Sequence, residues 1–226
     1  MKLSPRLKTV SDAVGKCNIL ADVGTDHGYI PVYMLEEGLC NKAYASDINE
    51  GPLSRAEEFI KEKGLSHKCE TILCNGLENV PRDYDALVIA GMGGETIASI
   101  IDANSPPENA KLVLQPMTEE QTLRKYLYTH GYKITDETGI SEPGHVYVVI
   151  TAQKGITESF SLKDLIASPA FCSKKSEDGR AYIMKNIKKV TKVLDGLKRS
   201  TTPKTEEITS AENELDLLKI IYEEIN

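Results

Sequence analysis

The sequence has no apolar run that approaches the roughly 18 to 20 residues which a membrane-spanning helix needs. Its first ten residues also lack the apolar segment of a secretory signal peptide. We therefore expect a cytoplasmic protein with no membrane partner. With 226 residues, of which 40% are hydrophobic and 27% charged, the chain can form one full domain and an appendage.

Cysteines are few and irregularly placed. The chain has five, an odd number, and no two of them form a C-x-x-C pair. Such a pattern indicates neither a disulfide framework nor a zinc site. We expect no bound metal, and we expect the cysteines to be small buried apolar residues.

Positive charge is scarce except in one segment. The chain has 27 Lys and Arg against 34 Asp and Glu, a formal charge of −7. Residues 1–159 have a net charge of −8, residues 174–204 of +7 and residues 205–226 of −6. An acidic total normally argues against a nucleic-acid partner, but this distribution leaves one basic segment that can bind RNA.

Between residue 18 and about residue 153, short apolar runs alternate with helical patterns, which is typical of βαβ units. This alternation predicts an α/β, Rossmann-like fold with a mostly parallel sheet. The predicted strands are 18–23, 43–46, 69–73, 86–90 and 111–114, followed by an antiparallel hairpin of 132–140 and 145–152. The predicted helices are 31–37, 52–63, 95–101 and 118–130.

Two further helices are predicted near the end of the chain, because apolar residues recur there at heptad-like spacing. The seams are Ile183, Ile187, Val190, Leu194 and Leu197, and then Ile208, Ala211, Leu215, Leu218, Tyr222 and Ile225. A proline turn at 201–203 separates them, so we expect a C-terminal antiparallel coiled-coil hairpin. The predicted domains are residues 1–159 and residues 160–226.

A row of cations on the first of these helices faces away from the seam. We call it the basic stripe; its residues are Lys185, Lys188, Lys189, Lys192 and Arg199. Such a stripe is either an RNA-binding surface or an ordinary solvated helix face. The acidic remainder of the chain favours the first interpretation.

The first predicted strand leads into Asp22-Val23-Gly24-Thr25-Asp26-His27-Gly28, at the position where doubly wound folds bind ligands. The dinucleotide fingerprint requires glycine at 24, 26 and 29, but Asp26 and Tyr29 occupy two of these positions. A carboxylate at Asp26 would repel a pyrophosphate. It favours a cofactor with positive charge at its reacting end, such as S-adenosylmethionine.

Other strand ends provide further candidates. Asp47 lies 19 residues after Gly28, where an acidic side chain can accept both ribose hydroxyls, although it can also cap the next helix. The glycines of Gly91-Met92-Gly93-Gly94 indicate either close approach of a ligand or a tight entry into the next helix. Gln115 places an amide at the same edge of the sheet, or belongs to a plain turn.

Six segments in order are similar to the bacterial tRNA (adenine-N1)-methyltransferase family TrmK, which modifies adenine 22 in the D arm. They are Leu3-Ser4-Pro5-Arg6-Leu7, residues 21–31, Asp47-Ile48-Asn49, Asn75-Gly76-Leu77, Gly91-Met92-Gly93-Gly94 and Gln115-Pro116. The resemblance covers residues 3 to about 153, and the family's helical appendage resembles the C-terminal hairpin. It implies a class I methyltransferase that uses S-adenosylmethionine and acts on tRNA.

The resemblance also implies a set of cofactor-binding residues. These are Asp22, Gly24, Thr25, Gly28, Asp47, Ile48, Asn75, Gly76, Gly91, Met92, Gly93 and Gln115. Asn75 stands where many methyltransferases of this class have Asp. An asparagine can still hydrogen-bond the exocyclic amine of the cofactor's adenine.

In methyl transfer to adenine N1, the nitrogen attacks through a lone pair that is already free. The reaction therefore requires alignment and a dry pocket rather than a base. The product is positively charged, which makes Asp26 the first catalytic candidate. His27 can hydrogen-bond the adenine or the cofactor, or else be a loop histidine bonded to the backbone.

Because N1 lies on the Watson–Crick edge, the target must be unpaired, and Tyr29 is either a stacking platform for it or a core residue. Arg6, Lys8 and the basic stripe are candidate phosphate contacts.

Three alternatives remain open from the sequence. The chain can be a methyltransferase that acts on a small molecule or a protein, a nicotinamide-dependent oxidoreductase, or a cofactor-binding module that recruits a partner through its hairpin. Pairing of the seams between chains also leaves both a monomer and a weak homodimer open.

Overall fold

The computed structural model describes residues 1–200 and 204–226. One mixed sheet of seven strands organises the chain, in the order β3-β2-β1-β4-β5-β7-β6. The strands are β1 Ile19–Val23, β2 Lys42–Asp47, β3 Cys69–Leu73, β4 Ala86–Gly93, β5 Lys111–Thr118, β6 Tyr132–Glu142 and β7 His145–Lys154. The first five are parallel to one another and β7 is antiparallel to both β5 and β6, which confirms the predicted Rossmann-like fold.

Helices cover both faces of this sheet. They are α1 Pro5–Val14, α2 Tyr29–Glu36, α3 Glu50–Glu62, α4 Gly94–Ala103, α5 Glu120–Thr129, α6 Leu162–Ile166, α7 Pro169–Ser173, α8 Glu177–Lys198 and α9 Thr205–Glu224. The four helices predicted between the strands are present. The predicted start of the fourth at residue 118 is wrong, because β5 continues to Thr118 and α5 begins two residues later.

The sequence reasoning missed α1. Its start is nevertheless encoded, since the Ser4 hydroxyl accepts a hydrogen bond from the Leu7 amide at 3.4 Å and Pro5 occupies the first helical position. Val10 and Val14 are fully buried against the sheet. The helix therefore fixes residues 3–7 at the edge of the sheet where β4 and β5 end.

The two C-terminal helices form an antiparallel pair. Arg180, near the start of α8, donates to the carbonyl oxygen of Ile225 at the end of α9 (3.3 Å), while Lys198, at the end of α8, pairs with Glu212 in the first half of α9 (2.7 Å). Within the predicted seams, Ile183, Val190, Leu194, Ala211, Leu218 and Ile225 are buried. The proline turn expected at 201–203 lies outside the described residues.

The apolar interior of the helical pair is continuous with one face of the sheet. Ile183 and Leu218 belong to the same buried cluster as Leu112 and Ile150 of the sheet. Helix α8 packs on β6 and β7, and α9 contacts α6. The division into domains at residue 159 stays a prediction, and one apolar cluster crosses that boundary.

A buried ion pair joins the same regions. Arg124 of α5 and Glu137 of β6 are both fully buried, and Nη2 of Arg124 donates to Oε1 of Glu137 at 2.5 Å. The same guanidinium donates to the Leu165 carbonyl oxygen and to the Tyr182 hydroxyl of α8. Burial alone would lower the pKa of Arg124, but the Glu137 carboxylate more than offsets this, so the pKa is raised and the guanidinium stays charged.

Candidate functional site

A cavity of about 400 Å³ opens where β1, β2 and β4 end. Ligands bind at this edge in doubly wound folds because the strand order reverses there, here between β1 and β4. Eight residues predicted from the sequence line it: Arg6, Asp22, Gly24, Asp26, Tyr29, Asp47, Gly91 and Met92. The fold therefore brings together part of the predicted cofactor set and part of the predicted RNA-binding set.

The loop after β1 forms the floor of the cavity. The amides of Gly24 and Thr25 both donate to the carbonyl oxygen of Ser46 in β2, at 2.8 and 2.9 Å. Gly24 has φ +76°, and a Cβ there would lie 2.1 Å from the terminal methyl carbon of Met92. Glycine is favoured here because an L side chain would be strained at this positive φ and would also displace the end of the Met92 side chain.

Two carboxylates from neighbouring strands face the cavity. Asp22 is buried, and its pKa is raised to about 6, because burial disfavours its charged form and the nearby Asp47 carboxylate adds repulsion. The Thr25 hydroxyl opposes this rise. Asp47 is half-buried and accepts a hydrogen bond from the Asn49 amide at 2.8 Å through one oxygen. A cationic group bound between Asp22 and Asp47 would relieve their repulsion.

Asp26 and His27 lie at the rim of the cavity rather than at its floor. The Asp26 carboxylate is 65% exposed and lies 3.1 Å from Nη2 of Arg55 in α3 and 3.4 Å from Nε2 of His27. His27 has φ +64° and its ring stacks on that of Tyr29, with centroids 5.3 Å apart. Tyr29 in turn meets the ring of Phe59 edge-on. The rim thus has one carboxylate, one guanidinium and a row of three rings.

The glycine-rich end of β4 serves two different purposes. Gly91 has φ +81° and lines the cavity. At Gly94 a Cβ would lie 2.2 Å from the carbonyl oxygen of Glu119, and Gly93 is close to the carboxylate of that same residue. Gly94 therefore permits the tight entry into α4, while Gly91 adds no side chain to the cavity wall and its contact with a ligand stays a prediction.

Arg6 forms a side wall of the cavity, where α1 approaches β5. Its Nη1 donates to Oε1 of Gln115 at 2.7 Å, and its guanidinium lies over the Tyr147 ring at 5.8 Å. Gln115 is fully buried, and its Nε2 donates to the Pro116 carbonyl oxygen, which fixes the orientation of the amide. Gln115 therefore supports Arg6 and does not itself line the cavity.

Other predicted residues do not line this cavity. Asn75 and Gly76 line a separate cavity with Thr96 and Ser99, and the Asn75 amide donates to Glu78 at 3.3 Å. Ile48 is 61% exposed beside Asp47. Gly28 lies at the start of α2 next to Ala56 of α3.

The predicted RNA-binding cations are divided between two surfaces. All five residues of the basic stripe are exposed. Lys185 donates to the Val146 carbonyl oxygen at 2.8 Å, next to the Tyr147 ring that underlies Arg6. Lys189 lines a cleft of about 410 Å³ between α8, α9 and the start of α5. Lys8 pairs with Asp12 one turn further along α1.

The residues present fit a cofactor that has a cationic centre and a ribose. The buried Thr25 hydroxyl makes no hydrogen bond of normal geometry within the described chain, and Asp47 has an oxygen left to accept further bonds. Asp22 is available to a cation, and the absence of a Cβ at Gly24 leaves the Met92 thioether as the neighbouring wall of the cavity. Among the described residues, no group of three or more His, Cys, Asp or Glu side chains is arranged to hold a metal ion.

Arg55, Leu7, Ile30, Ala90 and Met117 were not predicted from the sequence. The last four line the cavity, and Arg55 reaches it through Asp26. Met117 directly follows Gln115-Pro116, which the sequence analysis placed at this edge of the sheet. Its position in the sequence could therefore have identified it as a cavity residue. Arg55 had no such signal, because its partner lies 29 residues away.

Comparison with known proteins places these observations in a family. The methyltransferase-domain family matches residues 3–150. The tRNA (adenine(22)-N(1))-methyltransferase of Bacillus subtilis is 35% identical over 158 residues, which span 69% of this chain and 66% of that protein.

Two solved structures are similar along nearly the whole chain. The B. subtilis m1A22 tRNA methyltransferase TrmK superposes with a TM-score of 0.89 at 27% identity, over 98% of this chain and 99% of that one. Mycoplasma capricolum TrmK, solved with S-adenosylhomocysteine, superposes with a TM-score of 0.85 at 26% identity over 100% of both chains. The similarity thus extends through the C-terminal helices.

Proposed function

The chain belongs to the bacterial tRNA (adenine-N1)-methyltransferase family, and we propose that it transfers a methyl group from S-adenosylmethionine to N1 of adenine 22 in tRNA. The observation that carries this proposal is the cavity at the ends of β1, β2 and β4. It combines an open glycine floor with carboxylates for a cationic cofactor, and its rim has rings and cations for an unpaired nucleotide.

When bound, S-adenosylmethionine supplies an activated methyl group on a sulfonium. Asp47 accepts hydrogen bonds from the ribose hydroxyls, and Asp22 attracts the cationic amino group. Gly24, Thr25, Gly91 and Met92 allow the backbone and a thioether to approach the ligand closely. Gly28, Gly93 and Gln115 hold these segments in place, while Ile48, Asn75 and Gly76 are proposed for the adenine end.

Asp26 acts on the nucleotide that receives the methyl group. Methylation of N1 makes the adenine cationic, so a carboxylate at the rim stabilises charge that develops in the transition state. His27 and Tyr29 are stacked, and they offer a flat surface for a base that has left its helix. The apolar Leu7, Ile30 and Met117 keep water away from the reacting atoms.

The basic stripe begins beside the catalytic cavity. Lys185 is bonded to Val146, and the next residue, Tyr147, lies under Arg6, which lines the cavity. An RNA backbone that follows α8 can therefore reach the site through Arg6. Lys8, Lys185, Lys188, Lys189, Lys192 and Arg199 contact phosphates without reading sequence.

The decisive experiment is incubation of the purified protein with labelled S-adenosylmethionine and unmodified bacterial tRNA, followed by nucleoside analysis. We expect 1-methyladenosine with wild-type tRNA and none with a tRNA in which guanine replaces adenine 22. Label at another position, or on a small molecule or protein only, would contradict the proposed substrate. Cofactor binding without transfer would favour the recruitment alternative.

We also propose that the protein acts in the cytoplasm, where its tRNA substrate is modified. None of the described helices has the length and apolar character to cross a membrane. A monomer or a weak homodimer stays a prediction.

A further inference from the structure

We propose that Arg55 binds a phosphate of the RNA beside the target nucleotide, and that this exchange releases the Asp26 carboxylate for catalysis. The inference rests on the proposed function and adds to it a residue that the sequence did not single out. It starts from a conflict in the structure: the carboxylate that should face a developing positive charge is already paired with a guanidinium.

The ion pair between Asp26 and Arg55 is exposed enough for a ligand to replace one partner. Nη2 of Arg55 lies 3.1 Å from Oδ1 of Asp26, and the two side chains are 48% and 65% exposed. Exposed ion pairs contribute little to stability, because water and salt screen them. In the described structure Arg55 uses one of its five N–H donors on Asp26, so donors remain for a phosphate.

Carboxylates outnumber cations among the residues that line the cavity, where Arg6 faces Asp22, Asp26 and Asp47. Asp22, Asp26 and Asp47 all line the cavity, and Glu57 and Glu58 follow Arg55 on α3. A phosphate that approaches this side meets mainly negative charge. A guanidinium can offset that repulsion and hold a phosphate through two parallel hydrogen bonds.

The neighbouring rings favour RNA over other anionic ligands. Phe59 lies one turn after Arg55 on α3, and it contacts Tyr29, which stacks with His27. Tyr29 is 39% exposed although it is aromatic. Exposed rings beside an arginine form the usual surface for an unpaired base and its phosphate.

The test compares tRNA binding and methylation over a series of salt concentrations. For Arg55→Gln we expect the KM for tRNA to rise about tenfold and the slope of log Kd against log salt to fall by about 1, the value for one lost phosphate contact. Arg55→Lys should retain the slope. S-adenosylhomocysteine affinity should be unchanged in both variants, which reports that the cavity is still folded.

Lys61→Gln is the matched control, since it removes one exposed cation from the same helix on a different face. It should leave both slope and KM unchanged. If Arg55→Gln lowers kcat but leaves the salt slope of wild type, Arg55 only orients Asp26 and the inference is wrong, while the proposed function stands. If the wild-type protein does not methylate tRNA, the proposed function fails and this inference fails with it.

Discussion

Two arginine–carboxylate pairs occupy opposite environments in this molecule. At the rim of the cavity, Asp26 and Arg55 lie 3.1 Å apart and are about half exposed or more. Between the sheet and the helical pair, Arg124 and Glu137 lie 2.5 Å apart with neither side chain exposed. The chemical groups are the same, but their surroundings assign them different tasks.

The difference lies in what surrounds each charge. Arg124 also donates to the Leu165 carbonyl oxygen and the Tyr182 hydroxyl, while the Ser168 amide donates to Glu137. Each desolvated charge therefore has several fixed partners and cannot exchange them. Asp26 and Arg55 have water as an alternative partner, so a substrate can separate them at little cost.

The largest expected effect is on the buried pair. Arg124→Met leaves Glu137 buried without its cation, so we expect the free energy of unfolding to fall by about 3–5 kcal/mol. Urea denaturation followed by circular dichroism measures this. Lys125→Met, an exposed change at the next position, should cost under about 0.5 kcal/mol. If the two variants lose equal free energies of unfolding, the buried ion pair contributes no more to stability than an exposed lysine does.

The second effect separates stability from activity at the exposed pair. Asp26→Ala should change the free energy of unfolding by less than about 1 kcal/mol. It should abolish detectable methylation, a loss of at least about 100-fold, because the developing charge on adenine has no counterion. Asp216→Ala removes another exposed, paired carboxylate outside the cavity and should retain full activity. Wild-type turnover by the Asp26 variant would remove this residue from the mechanism.

The third effect is on the pH dependence of stability and comes from Asp22, a buried carboxylate that pairs with no cation among the described residues. Folding raises its pKa from 3.8 to about 6, so within this window the native state holds a proton that the unfolded chain has released. The free energy of unfolding should therefore fall as pH rises from about 4 to 6, by at most about 3 kcal/mol, and this contribution stays constant above that range.

Denaturation of wild type and Asp22→Asn over this pH range checks the prediction. The asparagine variant should lack this part of the pH dependence, and the exposed Asp195→Asn should retain it. Identical pH profiles for Asp22→Asn and wild type would mean that Asp22 does not titrate in this window.

The smallest effect concerns single residues of the basic stripe. Lys188→Gln should lower the salt slope of tRNA binding by about 1 and leave cofactor affinity and thermal stability unchanged. Fluorescence anisotropy with labelled tRNA measures it. Lys16→Gln removes an exposed lysine that follows α1 and lies outside the stripe, and this variant should bind like wild type. An unchanged slope in Lys188→Gln would assign α8 a role other than phosphate contact.

Features that depend on local sequence were predictable, and features that depend on partners distant in sequence were not. The strands, the helices between them and the position of the Asp22–Gly28 loop follow from periodicity and glycine placement. Helix α1 was missed although Ser4-Pro5 is a readable start signal. The partners of Arg124 and Arg55 lie 13 and 29 residues away on other elements, and one sequence contains no signal that pairs them.

Side-chain direction limited the prediction of the site in the same way. Residues at the carboxyl ends of the strands were expected to lie at one edge of the sheet, and six of them line one cavity: Asp22, Gly24, Asp26, Asp47, Gly91 and Met92. Gln115 and Gly93 are at that edge too, but they face the supporting layer, where they contact Arg6 and Glu119. Position along a strand determines the edge, whereas packing decides which way a side chain points.

The apolar cluster that runs from the sheet into α8 and α9 has a thermodynamic consequence. Removal of the helical pair would expose apolar side chains of the sheet itself. A change in RNA binding by a chain that lacks α8 and α9 would therefore reflect misfolding as much as the loss of RNA contacts. Heating should melt the molecule in a single cooperative transition, with calorimetric and van't Hoff enthalpies that agree. We therefore expect the helical pair to unfold together with the sheet rather than as an independent module.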